Sequence, residues 1–223
     1  MTEPLPQGRA SDIDPPVRRE LDRTTAKPAP YRGVGSEIIR TLSRIYLALN
    51  GWKMQGDWPG LDKVVLIAAP HTSNWDGFNM LAAAGYYRIK LRWMGKKSLI
   101  KGPLGWLIKA TGVVPIDRAA SNDVVAQMRQ AFAQAQRMVL AISPEGTRTL
   151  APVWKRGYYH IARGADVPLV ISVLDYGAKT ISLSGVLNAT GDYADDYRWI
   201  AQHYVGVGPK FPDQFTLEDP SKL

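Results

Sequence analysis

Val64-Val65-Leu66-Ile67-Ala68-Ala69-Pro70-His71-Thr72-Ser73-Asn74-Trp75-Asp76 decides how this chain folds. Residues 64–69 are a continuous apolar run, which reads as a buried strand. Pro70 ends it. Ser73-Asn74-Trp75-Asp76 then fits the S-x-x-[DE] capping box that opens a helix, and residues 78–87 continue as one.

Outward from this unit the pattern alternates. Segments 91–94, 113–116, 138–142, 169–174 and 180–183 read as strands, the last two paired through Gly177. Segments 123–136, 157–163 and 195–203 read as helices. Segment 98–110 could be another, with Gly102-Pro103 starting or interrupting it. Strands alternating with helices predict an α/β domain, with a mixed, largely parallel sheet flanked by helices. On the N-terminal side, Ile38, Leu42, Ile45 and Leu49 share one helical face, while Glu37, Arg40 and Arg44 lie largely opposite. This amphipathic helix over 36–49 ends at Asn50-Gly51. It either lies in a membrane interface or packs on the sheet. Residues 1–33 are rich in Pro and mixed charge and read as a disordered tail. A single domain is expected over 34–223.

Of the 223 residues, 45% are hydrophobic and 22% charged, ordinary for a globular protein. There is no cysteine, which excludes a disulfide, a thiolate nucleophile and a cysteine–zinc site. The first 30 residues lack the apolar core of a signal peptide. No apolar run reaches the roughly 18 residues of a membrane span, so a peripheral rather than integral association is expected. The formal net charge is +8. It is concentrated: residues 77–116 contain no acid, but hold Arg88, Lys90, Arg92, Lys96, Lys97, Lys101 and Lys109. Such a field attracts phosphate, anionic lipid, an acidic carrier protein or nucleic acid, or is a solvated basic face.

Ligand and catalytic sites in such sheets form at the carboxyl ends of strands. His71 sits at one such end and can act as a general base near neutral pH. Asp76, one to two helical turns on, can accept a hydrogen bond from the ring and favour the tautomer whose other nitrogen is free. The alternative is that Asp76 serves only the capping box. His160 and His203 have no aspartate at that spacing. No further ligand lies at a recognised metal spacing, so no metal is expected. After the 138–142 strand, Pro144-Glu145-Gly146-Thr147-Arg148 combines a turn-permitting glycine with an acid and a guanidinium that can grip phosphate bidentately. An ordinary charged surface turn is the competing reading. Gly112-Val113-Val114-Pro115-Ile116-Asp117-Arg118 ends a third strand with an acid–base pair. Three strand ends converge on what a phosphate-binding catalytic edge requires.

These blocks, in this order, resemble the lysophospholipid acyltransferases of the 1-acylglycerol-3-phosphate type. The resemblance covers roughly 36–190. It rests on His71 to Asp76 (His-x4-Asp), Gly112 to Arg118, Glu145 to Arg148 and the Val-Pro-rich strand from Val167 to Val173. It implies the glycerolphosphate acyltransferase-like fold. It implies transfer of a fatty acyl group from acyl-CoA or acyl carrier protein to a lysophospholipid hydroxyl, most plainly that of 1-acylglycerol-3-phosphate. His71 would be the base and Asp76 its partner. Arg118, Glu145 and Arg148 would bind the acceptor's phosphate, Gly146 and Thr147 would shape that turn, and Lys97 would be the basic contributor from the 88–109 segment. No cofactor is implied beyond the acyl donor, and no nucleic acid. A cytoplasmic enzyme, peripheral on the inner face of the membrane, is the matching location. The chain departs from the family pattern at Pro115, Ile171 and Trp154, differences that leave the base intact and bear on the acceptor. Two other readings compete. A non-catalytic basic module binding membrane or another anion explains the charge but not the histidine. A hydrolase would need a nucleophile, and no G-x-S-x-G elbow occurs.

Overall fold

The computed structural model describes residues 18–20, 33–116, 121–219 and 221. It contains a sheet in the order β1-β8-β7-β3-β6-β4-β5, with β2 also on β8. The strands are β1 (Arg18–Glu20), β2 (Lys53–Gln55), β3 (Lys63–Ala69), β4 (Leu91–Lys96), β5 (Val113–Ile116), β6 (Met138–Ile142), β7 (Leu169–Asp175) and β8 (Thr180–Leu187). The helices are α1 (Val34–Leu49), α2 (Asn74–Tyr86), α3 (Gly105–Ala110), α4 (Ser121–Gln134), α5 (Gly157–Ala165) and α6 (Tyr193–Gln202). The five strands from β7 to β5 run parallel, and β8 returns antiparallel to β7. The expected mixed, largely parallel α/β sheet with its N-terminal helix is therefore present.

The continuous apolar run of β3 follows from burial on both faces. Val65, Ile67 and Ala69 face a core completed by Phe132 of α4, Tyr158 of α5 and Ile200 of α6. Val64 and Leu66 face the other way, against Ala84 of α2, Tyr87 and Trp58. Outside α2 lies α1, joined to it through a small cluster of Leu47, Trp52, Ala82, Leu174 and Ile181. Gly85 allows this contact: a Cβ there would meet the Ser43 hydroxyl at 2.1 Å.

One detail follows the sequence expectation and one differs from it. Gly102-Pro103 splits the 98–110 segment into a 3-10 turn, Lys97–Ile100, and the short α3. Most of residues 1–33 lies outside the described residues, but Arg18–Glu20 pairs antiparallel with β8.

Register explains how distant motifs meet. Ile67 of β3 pairs with Ile142 of β6, and Ala69 of β3 with Val173 of β7. His71, Glu145 and Tyr176 each follow a carboxyl end of these three adjacent parallel strands. They are thus delivered to one edge.

Candidate active site

The site is built on the loop between β3 and α2. Ser73 is the N-cap of α2, and its hydroxyl accepts from the Trp75 amide at 3.1 Å. Asp76 reaches back to complete the capping box: its Oδ2 accepts from the amides of Ser73 and Thr72, each at 2.7 Å. The same Oδ2 lies 3.3 Å from Nδ1 of His71. The two readings of Asp76, cap or histidine partner, are therefore not alternatives. One carboxylate does both, because the loop that the cap tightens is the loop that carries the ring.

Asp76 Oδ1 is also occupied. It accepts from the Ser73 hydroxyl at 2.9 Å and from the Tyr176 hydroxyl at 2.6 Å. Burial pushes this carboxyl upward, but hydrogen bonds from His71, Tyr176 and Ser73 outweigh that and hold it below its ordinary value. The charge also sits in the first turn of α2, where the helix dipole favours an anion. Side-chain exposure separates the pair: 4% for Asp76 against 31% for His71. The acid is sealed in and the ring is open to solvent.

Glu145 is likewise buried. Its Oε1 accepts from the His71 amide at 3.0 Å, and its Oε2 from the Ser143 hydroxyl at 2.6 Å. Burial raises this carboxyl, and the donors only partly oppose it. Glu145 thus ties the turn after β6 to the backbone of His71. Gly146 has φ +64, and a Cβ there would press on the Lys155 side chain at 2.8 Å. The Thr147 hydroxyl accepts from the Thr149 amide at 3.3 Å, closing the turn. Arg148 is exposed beyond it. Arg118 lies outside the described residues. Lys97 opens the 3-10 turn after β4.

Several residues at this edge carry no sequence signal. Tyr176 follows β7 and reaches Asp76 from a hundred residues away. Asn79, one turn beyond Asp76 on α2, is buried and donates to the Tyr176 hydroxyl at 3.1 Å. The segment after α6 also crosses the edge. The Phe211 amide donates to the Thr72 hydroxyl at 3.3 Å. The Gln214 amide nitrogen, turned toward them, donates to the carbonyls of Thr72 (3.0 Å) and Arg148 (2.5 Å).

Leu66, Ala68, Pro70, Met80, Ala83 and Leu174 line an apolar recess between the sheet and α2. The outer face of α1 is apolar and open: Ile38, Ile39, Leu42, Ile45 and Leu49 are 52–82% exposed. The buried side is instead Ser43 and Leu47. Trp75 and Phe78 of α2 are exposed as well. Among the described residues, no helix is long and apolar enough to cross a membrane, and no cluster of three His, Asp or Glu side chains could hold a metal ion.

Chemically, this is an accessible imidazole whose inner nitrogen faces a buried carboxylate, beside a glycine turn with an exposed arginine. Residues 50–173 match the family described as Acyltransferase. Among solved structures, the chain is similar to the 1-acyl-sn-glycerophosphate (LPA) acyltransferase PlsC from Thermotoga maritima. Identity is 15%, the TM-score is 0.50, and 76% of each chain is covered. At that identity the likeness is one of fold. No curated protein sequence matches.

Proposed function

Because the chain belongs to the acyltransferase family, we propose that it moves a fatty acyl group from acyl-CoA or acyl carrier protein to a lysophospholipid hydroxyl, with His71 as general base. The observation that carries this reading is the 3.3 Å approach of His71 Nδ1 to a sealed Asp76 carboxylate, with the ring itself open to solvent. Asp76 favours the tautomer with the proton on Nδ1, so Nε2 is free to accept the acceptor's hydroxyl proton. The oxygen attacks the thioester carbonyl. The C–S bond breaks, and the departing thiolate takes the proton back from the imidazolium. No acyl-enzyme forms. Arg148, Arg118 and the turn of Glu145, Gly146 and Thr147 receive the acceptor's phosphate, Glu145 serving that turn from inside. The favoured acceptor is 1-acylglycerol-3-phosphate, the substrate named for the Thermotoga maritima protein. The basic 88–109 segment, Lys97 included, attracts the acidic donor. The apolar recess beside Pro70 offers lining for an acyl chain.

The exposed apolar face of α1 favours seating at a lipid surface, peripheral on the inner face of the membrane, over the sheet-packing alternative. The test is incubation of purified protein with palmitoyl-CoA and lysophosphatidate, following thiol release. Acceptor-dependent release supports transfer, and release without acceptor supports hydrolysis. No release, with vesicle binding retained, supports a non-catalytic module. For the membrane, Leu42→Glu with Ile45→Glu should leave the fold intact and abolish binding to anionic vesicles. Unchanged vesicle binding would refute that part.

A further inference from the structure

The hydroxyl on Asp76 Oδ1 belongs to a directed chain of side chains. Tyr46 of α1 donates to Asn79 Oδ1 at 3.1 Å. Asn79 Nδ2 donates to the Tyr176 hydroxyl at 3.1 Å. The Tyr176 hydroxyl donates to Asp76 Oδ1 at 2.6 Å. Each link fixes the next. With its carbonyl oxygen taken by Tyr46, the Asn79 amide must point its nitrogen at Tyr176. With a lone pair taken by Asn79, the Tyr176 hydroxyl has its one proton left for Asp76. The Tyr176 ring is held too. Trp52 meets it edge-on at 4.9 Å between centroids, and the ammonium groups of Lys179 and Lys210 lie 5.8 and 5.7 Å from its centroid.

We propose that Tyr176 is a positioning residue of this site: it clamps Asp76 Oδ1 so that Oδ2 faces the His71 ring. This rests on the reading of His71 as the base. Tyr176 lies beyond the 50–173 family match, so family membership does not assign it. The donors on the two oxygens divide the work. Thr72 and Ser73 amides fix Oδ2 from the loop, while Tyr176 and the Ser73 hydroxyl fix Oδ1. Among the described residues, Tyr176 is the one clamp that comes from outside the loop and helix carrying the dyad. Without it, Oδ1 keeps only the Ser73 hydroxyl, and the soft last torsion of the carboxylate is less restrained. Among the described residues, the charged and titratable groups that touch the pair or its clamp are Glu145 from the turn after β6 on the His71 amide, Lys179 from the β7–β8 turn and Lys210 from the segment after α6 over the Tyr176 ring, and Tyr46 from α1 through Asn79.

Tyr176→Phe keeps the ring and its packing and removes the hydroxyl, hence both the clamp on Asp76 and the acceptor for Asn79. In the full-length chain, we expect the Asp76 carboxyl titration, followed by carbon NMR, to move to higher pH by roughly half a unit or more. Its charged form will have lost a donor. We also expect kcat for lysophosphatidate acylation to fall about tenfold, as for other orienting partners, with KM within about twofold. Asn79→Ala, which frees the hydroxyl to turn, should move the same readings in the same direction by less. If Tyr176→Phe does not fold, Asn79→Ala decides in its place. Unmoved Asp76 titration in the folded variant, or a loss confined to KM, would overturn the proposal. A wild-type chain that acylates no acceptor would overturn the acyl-transfer reading, while a shifted Asp76 titration would still support the clamp.

Discussion

Two buried carboxylates touch His71, and they are in opposite conditions. Asp76 faces the ring and Glu145 holds the backbone amide. Burial raises both. Asp76 is nonetheless held low, because two amides, a serine and a tyrosine hydroxyl and the imidazole converge on it. Glu145 stays high, with chiefly the His71 amide and the Ser143 hydroxyl on its oxygens. Desolvation alone thus does not decide which acid can serve a base as a charged partner. The supply of donors does. The loop after β3 concentrates donors on its acid, since a helix start offers free amides. The turn after β6 offers few, and its acid acts as a strut.

The largest effect should come from removing the ring that Asp76 faces. His71→Ala should keep the fold and lose about 10²–10⁴-fold in acyl transfer, the usual worth of a general base. Near-normal turnover would end the assignment. Asp76→Asn should lose less activity than His71→Ala and should also cost stability, about 1–3 kcal/mol, because an amide cannot accept from all of those donors. This cost depends on pH. A carboxyl held low in the folded state stabilises above its unfolded value and loses that contribution as pH falls through its folded value. The melting-temperature gap between wild type and Asp76→Asn should therefore narrow in acid, below the ordinary carboxylate range.

Arg148→Ala tests whether the strut supports an anion site. It should raise KM for lysophosphatidate by about tenfold, the loss of one charge-assisted contact, and affect a neutral monoacylglycerol less. Equal losses on both acceptors would make Arg148 structural. The smallest effect should be that of Glu145→Gln. An acid held high is favoured in the folded state only while protonated, and the benefit fades as pH rises through its folded value. Relative to wild type, Glu145→Gln should therefore gain stability as pH rises from the acid range to neutrality, by about 1 kcal/mol or less, in paired thermal melts.

Much of this was legible beforehand. Apolar runs at 64–69 and 138–142 named the two central strands, and His71 and the Glu145 turn were found by their places at strand ends. What sequence could not supply was register. Tyr176 matters only because Ala69 pairs with Val173, and no local pattern announces that. β2, three residues long, exists through its pairing with β8. Glu145 reads as a surface turn because nothing nearby in sequence reveals that the His71 amide covers it. The periodicity of α1 gave the apolar face but not its partner. The structure turns that face outward and buries Ser43 and Leu47 instead.

With His71 read as the base, its charged partner is Asp76 and not Glu145. Side-chain carboxyl carbons can be titrated by NMR in the intact protein, with Asp76→Asn and Glu145→Gln identifying the two signals. The Asp76 signal should titrate below the ordinary aspartate range and the Glu145 signal above the ordinary glutamate range. The reverse order, or two signals titrating together at ordinary values, would contradict it.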